Sequence, residues 1–366
     1  MIPFLDLTRQ HAALRDELLA AADRVLSSAR FILGPEGDAL ERELAALAGA
    51  RHALGVASGT DALRLALAAL GVGPGDEVLT PAFSFVASAS TALMVGATPV
   101  FVDIEPETYA LDVEATARAI TPRSKAIVAV HLYGHPAPMD QVAALARAHG
   151  LAIVEDAAQA IGATWQGRPV GSWGDATCLS FYPTKNLGGC GDGGMVITNR
   201  DDVAERVRRL RHHGDSGRYR HEELGFTSRL DELQAALLRV KLARLNAWTE
   251  ARRRLAARYH TALAGLPLAL PRERPGARHV YHLYTVRHAQ RDALVKALAD
   301  AGVGTATHYP IAIPGQPMFD RPDAARQWPV ALRASREVLS LPCFAELRDD
   351  EADAVIDAVR RACERI

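Results

Sequence analysis

Between residues 77 and 198 short apolar runs recur at 77–80, 100–103, 126–131, 151–155, 176–181 and 195–198, and helical patterns fall between several of them, at 86–95, 113–120 and 140–149. The runs are apolar at consecutive positions, so each strand buries both faces. Strands of that kind, separated by helices, predict a mainly parallel sheet covered on both sides. Helical segments at 11–28 and 36–48 precede it. A further apolar helix opens at Ser58-Gly59-Thr60-Asp61 and stops at Gly71. Near residue 230 the pattern changes. Arg229–Leu245 and 248–264 read as long helices, followed by a stretch rich in Pro and Arg around Pro271 and Pro275. Strands at 279–287 and 303–309 then flank a helix at 291–301, and helices at about 329–339 and 349–365 close the chain. A chain of 366 residues exceeds what one core usually serves. The expected division is a large α/β domain, 1–250, and a smaller α+β domain, 251–366.

Forty-two basic against 43 acidic residues leave a formal charge of −1. A nucleic-acid binder should show a basic footprint, so that class is disfavoured. Cys178, Cys190, Cys343 and Cys363 show no zinc spacing and no C-x-x-C pair, which points to a reducing compartment and no metal. The first ten residues carry charges where a signal peptide needs an apolar stretch. Phe85–Val102 is 18 residues without a charge, yet it holds Ser88, Ser90, Thr91, Gly96, Thr98 and Pro99. It reads as a buried helix ending near Gly96 and then a strand, not a membrane span. A cytoplasmic protein is expected.

Only four of the basic residues are lysines, at 125, 185, 241 and 296. Chemistry that needs an amine therefore has four candidates. Lys125 stands just ahead of a strand, and Lys241 and Lys296 lie within helices. Lys185 sits in Ser180-Phe-Tyr-Pro-Thr-Lys-Asn-Leu-Gly-Gly-Cys-Gly-Asp-Gly-Gly194, directly after an apolar strand. In an apolar crevice a lysine loses amine pKa, and the neutral amine can attack a carbonyl to form an imine. The plainer alternative is a surface loop lysine, which the flanking glycines disfavour because they let backbone approach a ligand closely. Asp156 ends the buried run 151–154, where ligands of open α/β sheets bind. It could pair with a ring nitrogen of a cofactor, or simply cap the next helix. Ser58, Gly59 and Thr60 could form an anion site at a helix N-terminus, or a plain cap. Ser180 is a further hydroxyl that could meet a phosphate. An imine-forming lysine, an aspartate for a pyridinium and a phosphate site together describe pyridoxal 5′-phosphate.

The chain resembles the DegT/DnrJ/EryC1/StrS family of nucleotide-sugar aminotransferases along essentially its whole length. The segments that carry the resemblance are Ala57–Ala62, Pro81–Ser88, Gly96–Asp103, His131-Leu-Tyr-Gly134, Glu155–Gln159, the Lys185 segment and Ser228–Ala236. The resemblance implies the type I, aspartate-aminotransferase fold, with a mostly parallel seven-stranded sheet. It implies that Lys185 is the imine lysine and Asp156 the partner of the pyridine nitrogen. It further implies that Phe85, which otherwise reads as core, stacks on the ring. Gln159 would lie near the phenolic oxygen, and Gly59, Thr60 and Ser180 would bind phosphate. The implied reaction takes an amino group from L-glutamate, through pyridoxamine 5′-phosphate, to a keto sugar linked to a nucleoside diphosphate. His308-Tyr309-Pro310 resembles a segment of relatives that aminate C3; amination at C4 of a 4-keto-6-deoxy sugar is the alternative. Arg229 would lie near the substrate. The family's sites are shared across a homodimer, with the loop from His212 to Arg229 crossing to the partner. One departure stands out: Thr227 occupies the place of an asparagine that commonly reaches the phosphate, so a weaker or water-bridged contact is expected there. Antibiotic deoxysugars and surface polysaccharides are the pathways implied.

A nicotinamide dehydrogenase needs G-x-G-x-x-G between its first strand and helix, and Gly71-Val-Gly-Pro-Gly does not match. A pyridoxamine-dependent dehydratase of the same family typically lacks the imine lysine, so Lys185 argues against it. A non-catalytic regulator retaining the fold is disfavoured by Lys185 and Asp156.

Overall fold

The computed structural model describes residues 1–319 and 323–366. From the N-terminus run helices α1 (Leu7–Ser28) and α2 (Pro35–Leu47), strand β1 (His52–Val56) and helix α3 (Gly59–Ala69). Strand and helix then alternate: β2 (Glu77–Pro81), α4 (Ala87–Met94), β3 (Thr98–Val102), α5 (Val113–Ala119), β4 (Ser124–Val130), α6 (Met139–His149) and β5 (Ala152–Asp156). Two short strands, β6 (Thr164–Trp165) and β7 (Arg168–Pro169), precede β8 (Ala176–Ser180) and β9 (Gly194–Thr198). Helices α7 (Asp201–Leu210), α8 (Glu232–Leu242) and α9 (Leu245–Ala262) follow. The remainder carries β10 (Ala277–Arg278), β11 (Tyr284–Arg287), α10 (Arg291–Asp300), α11 (Ala324–Gln327), α12 (Pro329–Glu337), β12 (Val338–Leu341) and α13 (Asp349–Cys363).

Among the described residues, β1, β9, β8, β5, β4, β2 and β3 lie side by side in that order as a seven-stranded sheet. The strands from β8 to β3 are parallel; β9 alone lies antiparallel to its neighbours β8 and β1. Alternate residues of each strand feed opposite cores. Val154, with Val128 and Val196, packs toward α3 and α7, whereas Ile153 joins Ile127 and Val142 under α6. Each buried aliphatic side chain contributes about 1.5–3 kcal/mol, so the two-faced strands commit the sheet to the middle of a three-layer sandwich. A separate core gathers Tyr259, Tyr284, Leu294, Leu339 and Val355 around the two-stranded antiparallel sheet of β11 and β12.

Several boundaries differ from those expected. β1 lacks a signal because His52-Ala-Leu-Gly-Val is short and includes a His and a Gly. The helix expected from Arg229 begins at Glu232, because residues before it serve a loop. The strand expected at 279–287 is regular only from Tyr284. The strand expected at 303–309 makes only isolated bridges, Val303 to Ile2 and Ala306 to Ser340. The true second strand is β12, which the helical pattern of 329–339 concealed. The uncharged segment 85–102 does form a helix, a turn at Gly96 (φ 82°) and a strand. It is not wholly buried, however: Phe85, Leu93 and Met94 are exposed on this chain. No helix among the described residues is long and apolar enough to cross a membrane.

Candidate active site

The carboxyl ends of β4, β5 and β8, the turn after β2 and the N-terminus of α3 converge on a cavity of about 490 Å³. Ser58, Gly59, Thr60, Phe85, Asp156, Gln159, Ser180, Lys185, His308 and Tyr309 all line it.

β5 ends in two consecutive carboxylates on opposite sides of the sheet. Asp156 faces the cavity and is buried. Its Oδ2 accepts from the Ser88 hydroxyl at 2.8 Å and its Oδ1 from the Ala158 N–H at 3.2 Å. Ser88 in turn meets the Ser84 hydroxyl at 3.0 Å. Glu155 turns the other way and is fully buried. It accepts from the backbone N–H groups of Trp173 (3.1 Å) and Gly174 (2.9 Å), the Thr177 hydroxyl (2.9 Å) and His131 Nε2 (3.1 Å). His131 Nδ1 accepts from the Ala137 N–H at 2.9 Å, so Nε2 carries the ring hydrogen. Burial pushes the Glu155 carboxyl up, but these donors, led by His131, outweigh it and hold the group below the usual carboxylate value. Glu155→Ala would strand the donors in the interior. We expect a loss of about 3–5 kcal/mol of stability, read as a lower urea midpoint at unchanged slope.

Lys185 lies on the loop that follows β8. This loop is fixed by its own backbone: Lys185 N–H donates to Tyr182 O at 2.8 Å, and Gly189 N–H to Phe181 O at 2.7 Å. Gly188 must be glycine, because a Cβ there would stand 2.2 Å from the Pro183 carbonyl oxygen. From below, the fully buried Lys241 donates to Gly188 O at 2.8 Å. Desolvation brings the Lys185 amine down to about 8, against the opposing pull of the Asp156 carboxylate. The neutral, nucleophilic form therefore grows as pH rises toward 8. The rate at which Lys185 forms an imine with added pyridoxal 5′-phosphate should rise about tenfold per pH unit below that value and level off above it. Stopped-flow absorbance across pH 6–10, corrected for the free aldehyde, would show a plateau only above 10 if the shift were absent.

Ser58 caps α3, accepting from the Asp61 N–H at 3.1 Å, a contact worth about 1 kcal/mol. Among the described residues, no group accepts from the N–H of Gly59 or Thr60. A Cβ on Gly59 would lie 2.7 Å from Ser180 Cβ, so glycine lets the Ser180 hydroxyl close on the helix end. Two free donors, two hydroxyls and a helix dipole make this corner suited to an anion.

Phe85 is 52% exposed although aromatic, and its ring centroid lies 5.8 Å from that of Tyr309. Gln159 is oriented by both ends of its amide: Oε1 accepts from Tyr133 N–H at 2.7 Å, and Nε2 donates to the Tyr309 hydroxyl oxygen at 3.1 Å. The Tyr133 hydroxyl donates to the His308 carbonyl. Burial, with the Lys185 charge adding, brings His308 down to about 4, so its imidazole is neutral at physiological pH.

Two expected residues stand apart. Arg229 Nη1 donates to His212 Nδ1 at 2.9 Å, Thr227 Oγ1 meets His213 Nε2 at 2.8 Å, and neither residue lines the cavity of this chain. Ser88, which supports Asp156, and His131 and His282, which line the cavity, carry no mark of a site role in the sequence. His282 Nδ1 lies 3.0 Å from Asn186 Oδ1, whose amide Nδ2 donates to Val280 O at 3.2 Å, so Nδ1 carries the hydrogen and Nε2 is an acceptor. His131 sat inside a matched segment without a role, and Ser88 ended one. His282, 97 positions from Lys185, left no local signal.

The residue set fits pyridoxal 5′-phosphate: an amine of lowered pKa, a buried carboxylate, an anion corner that a Cβ would fill, and an exposed aromatic ring beside them.

Residues 12–360 match the model of the DegT/DnrJ/EryC1/StrS aminotransferase family. The chain is 49% identical to the UDP-N-acetyl-3-dehydro-alpha-D-glucosamine 3-aminotransferase of Acidithiobacillus ferrooxidans, over 98% of this chain and 97% of that protein. It is 46% identical to a "Pleiotropic regulatory protein" of Geobacillus stearothermophilus, over 98% and 97% respectively. Among solved structures it is similar to DesV of S. venezuelae in complex with a ketimine intermediate, with a TM-score of 0.97 and 48% identity, covering 100% of this chain and 99% of that one.

Proposed function

We propose, from the premise that the chain belongs to the DegT/DnrJ/EryC1/StrS aminotransferase family, that it moves an amino group from L-glutamate to C3 of a nucleoside-diphosphate-linked 3-keto sugar. The carrying observation is Lys185, an amine of lowered pKa in the same cavity as the buried Asp156 carboxylate. The enzyme is a pyridoxal 5′-phosphate-dependent aminotransferase. Amination at C3 is supported by the A. ferrooxidans relative, whose name places its reaction there.

In this reading Ser58, Gly59, Thr60 and Ser180 hold the cofactor's phosphate, Phe85 covers its ring, Gln159 meets its phenolic oxygen and Asp156 holds its ring nitrogen. When bound, the cofactor supplies a ring that accepts the electron pair left by a broken C–H bond. The chain's residues do the rest. Asp156, fixed by Ser88 and the Ala158 N–H, keeps a proton on the ring nitrogen. Lys185 Nζ takes the proton from the α-carbon of the donor, and later delivers one to C3 of the sugar. Tyr309 and His308 position the sugar above Phe85.

Two copies share each site in this reading, Arg229 and Thr227 entering from the partner. It is supported by their absence from the lining of the chain's own cavity, and by a loop that exposes Tyr219 (91%) and Leu224 (88%) to solvent. Phe31, Ile32, Leu33, Leu93 and Met94 add exposed apolar side chains of the kind that a second copy buries. The same reading divides the chain into 1–250 and 251–366, with α9 crossing the boundary and the core around Tyr259 and Tyr284 on the far side.

The reading is tested by the visible spectrum of the cofactor-loaded protein. L-Glutamate should bleach the imine band into the near ultraviolet, and a nucleotide 3-keto sugar should restore it; restoration by 4-keto sugars alone would move the reaction to C4. An unbleached band would favour a regulator, the role in the name of the G. stearothermophilus relative. Shared sites make a separate prediction. Lys185→Ala and Arg229→Ala proteins, each inactive, should regain activity when mixed and allowed to exchange subunits. No recovery after demonstrated exchange would place Arg229 in its own chain's site.

A further inference from the structure

Beside the first cavity lies a second, of about 530 Å³. The two share Thr184, His282 and His308, and Thr184 directly precedes Lys185. Arg252, from α9, lines the second chamber and is only 6% exposed. Its Nη1 donates to the carbonyls of Tyr281 at 3.4 Å, His282 at 3.3 Å and Cys343. Among the described residues its Nε and Nη2 meet no acceptor and no carboxylate stands within ion-pair distance; the Glu346 carboxylate, which accepts from Gln10 Nε2 at 3.3 Å, acts on it only at longer range. An arginine does not shed its proton, and a cation left inside a protein without a directly paired counter-charge is costly. The arrangement asks for an anion.

The other charged groups around the chamber do not supply one. The Asp6 carboxylate is taken up by Thr8 N–H, the Thr8 hydroxyl and Arg9 Nε. His282 and His308 form the wall toward the first cavity, and burial keeps both neutral. Arg252 is thus the cation of this chamber among the described residues. The carbonyl it grips on His282 belongs to the residue whose ring borders both chambers.

We propose that the chamber takes the side-chain carboxylate of a dicarboxylic amino donor, held bidentately on Nε and Nη2 of Arg252 while the donor's α-carbon lies at Lys185. The proposal rests on the aminotransferase reading above. A guanidinium edge suits a carboxylate in this way, and a donor without the second carboxylate would leave the cation unpaired. The chamber would thereby select the donor, separately from the sugar.

Calorimetric titration of the cofactor-loaded protein with glutarate and with pentanoate, which have equal chain lengths, tests this without turnover. Glutarate should bind roughly 10- to 100-fold more tightly. Arg252→Gln should bind the two alike, and Arg252→Lys should recover part of the preference. Equal binding in the unaltered protein overturns the proposal. So does an undiminished preference in an Arg252→Gln protein that melts normally. Should that variant not fold, the unaltered protein still decides through its bleaching by L-glutamate against L-norvaline: a lower apparent KM for glutamate supports the chamber, and no preference overturns it. Bleaching by neither would defeat the aminotransferase reading instead, leaving the titration to judge Arg252.

Discussion

Lys185→Ala abolishes transamination: turnover falls by at least about 10⁴-fold, the scale of a lost proton-transfer group, with loss of the imine added to it. No other amine can step in. Lys296 is on the surface, paired with Asp300 at 2.7 Å. Lys125 is exposed. Lys241 is enclosed beneath the loop, bound to Gly188 O and His11 Nε2. Arginines cannot substitute, because they do not deprotonate. The variant should fold as well as the parent, since deleting a desolvated amine removes a cost. It should still bind the cofactor through the phosphate corner, but with the spectrum of a free aldehyde. Single-turnover bleaching by L-glutamate is the measurement. A rate within tenfold of the parent would remove Lys185 from the chemistry.

Asp156→Asn should cost about 10²–10³-fold, the scale of one preorganised electrostatic contact removed from a buried site. The amide is nearly isosteric, so the loss would be of charge and not of shape. It would also misplace a hydrogen bond: both Asp156 oxygens now accept, from Ser88 and from Ala158, and an amide nitrogen can accept from neither. The loss should fall on kcat, with KM for L-glutamate nearly unchanged. Ser88→Ala, which only frees the carboxylate to turn, should cost about tenfold or less. A reversed order of the two effects would show that Asp156 serves only to fix the turn at Ala158.

The sheet was legible because its strands are apolar on both faces, a pattern that water does not tolerate at the surface. The Lys185 loop was legible for a different reason. Lysines are so few here that one beside a glycine cluster stands out. Less visible was whatever depends on which distant residues meet. Ser88 supports Asp156 across 68 positions, and His282 and Arg252 border the site from the far part of the chain. Phe85 reads as core by composition, and only its exposure at the cavity shows otherwise. Strand β12 hid in a helical pattern because its apolar residues fall where a preceding helix would also place them. Arg229 and Thr227 mark the remaining gap: their residue types alone do not say that they stand outside the lining of this chain's own cavity.

The paired carboxylates of β5 tie two kinds of fitness together. Glu155 satisfies the donors of residues 171–177, while Asp156, one position on, turns toward the cavity. Strand side chains alternate, so a slip of one residue would exchange their places. The misfolded strand would set a carboxylate one methylene too short against its buried donors at the same moment as it set one too long in its cavity. A chain with this error cannot persist as a well-packed but inert decoy; its instability would expose it to degradation. Fidelity of strand registration is thereby a check on catalytic competence, written into adjacent codons.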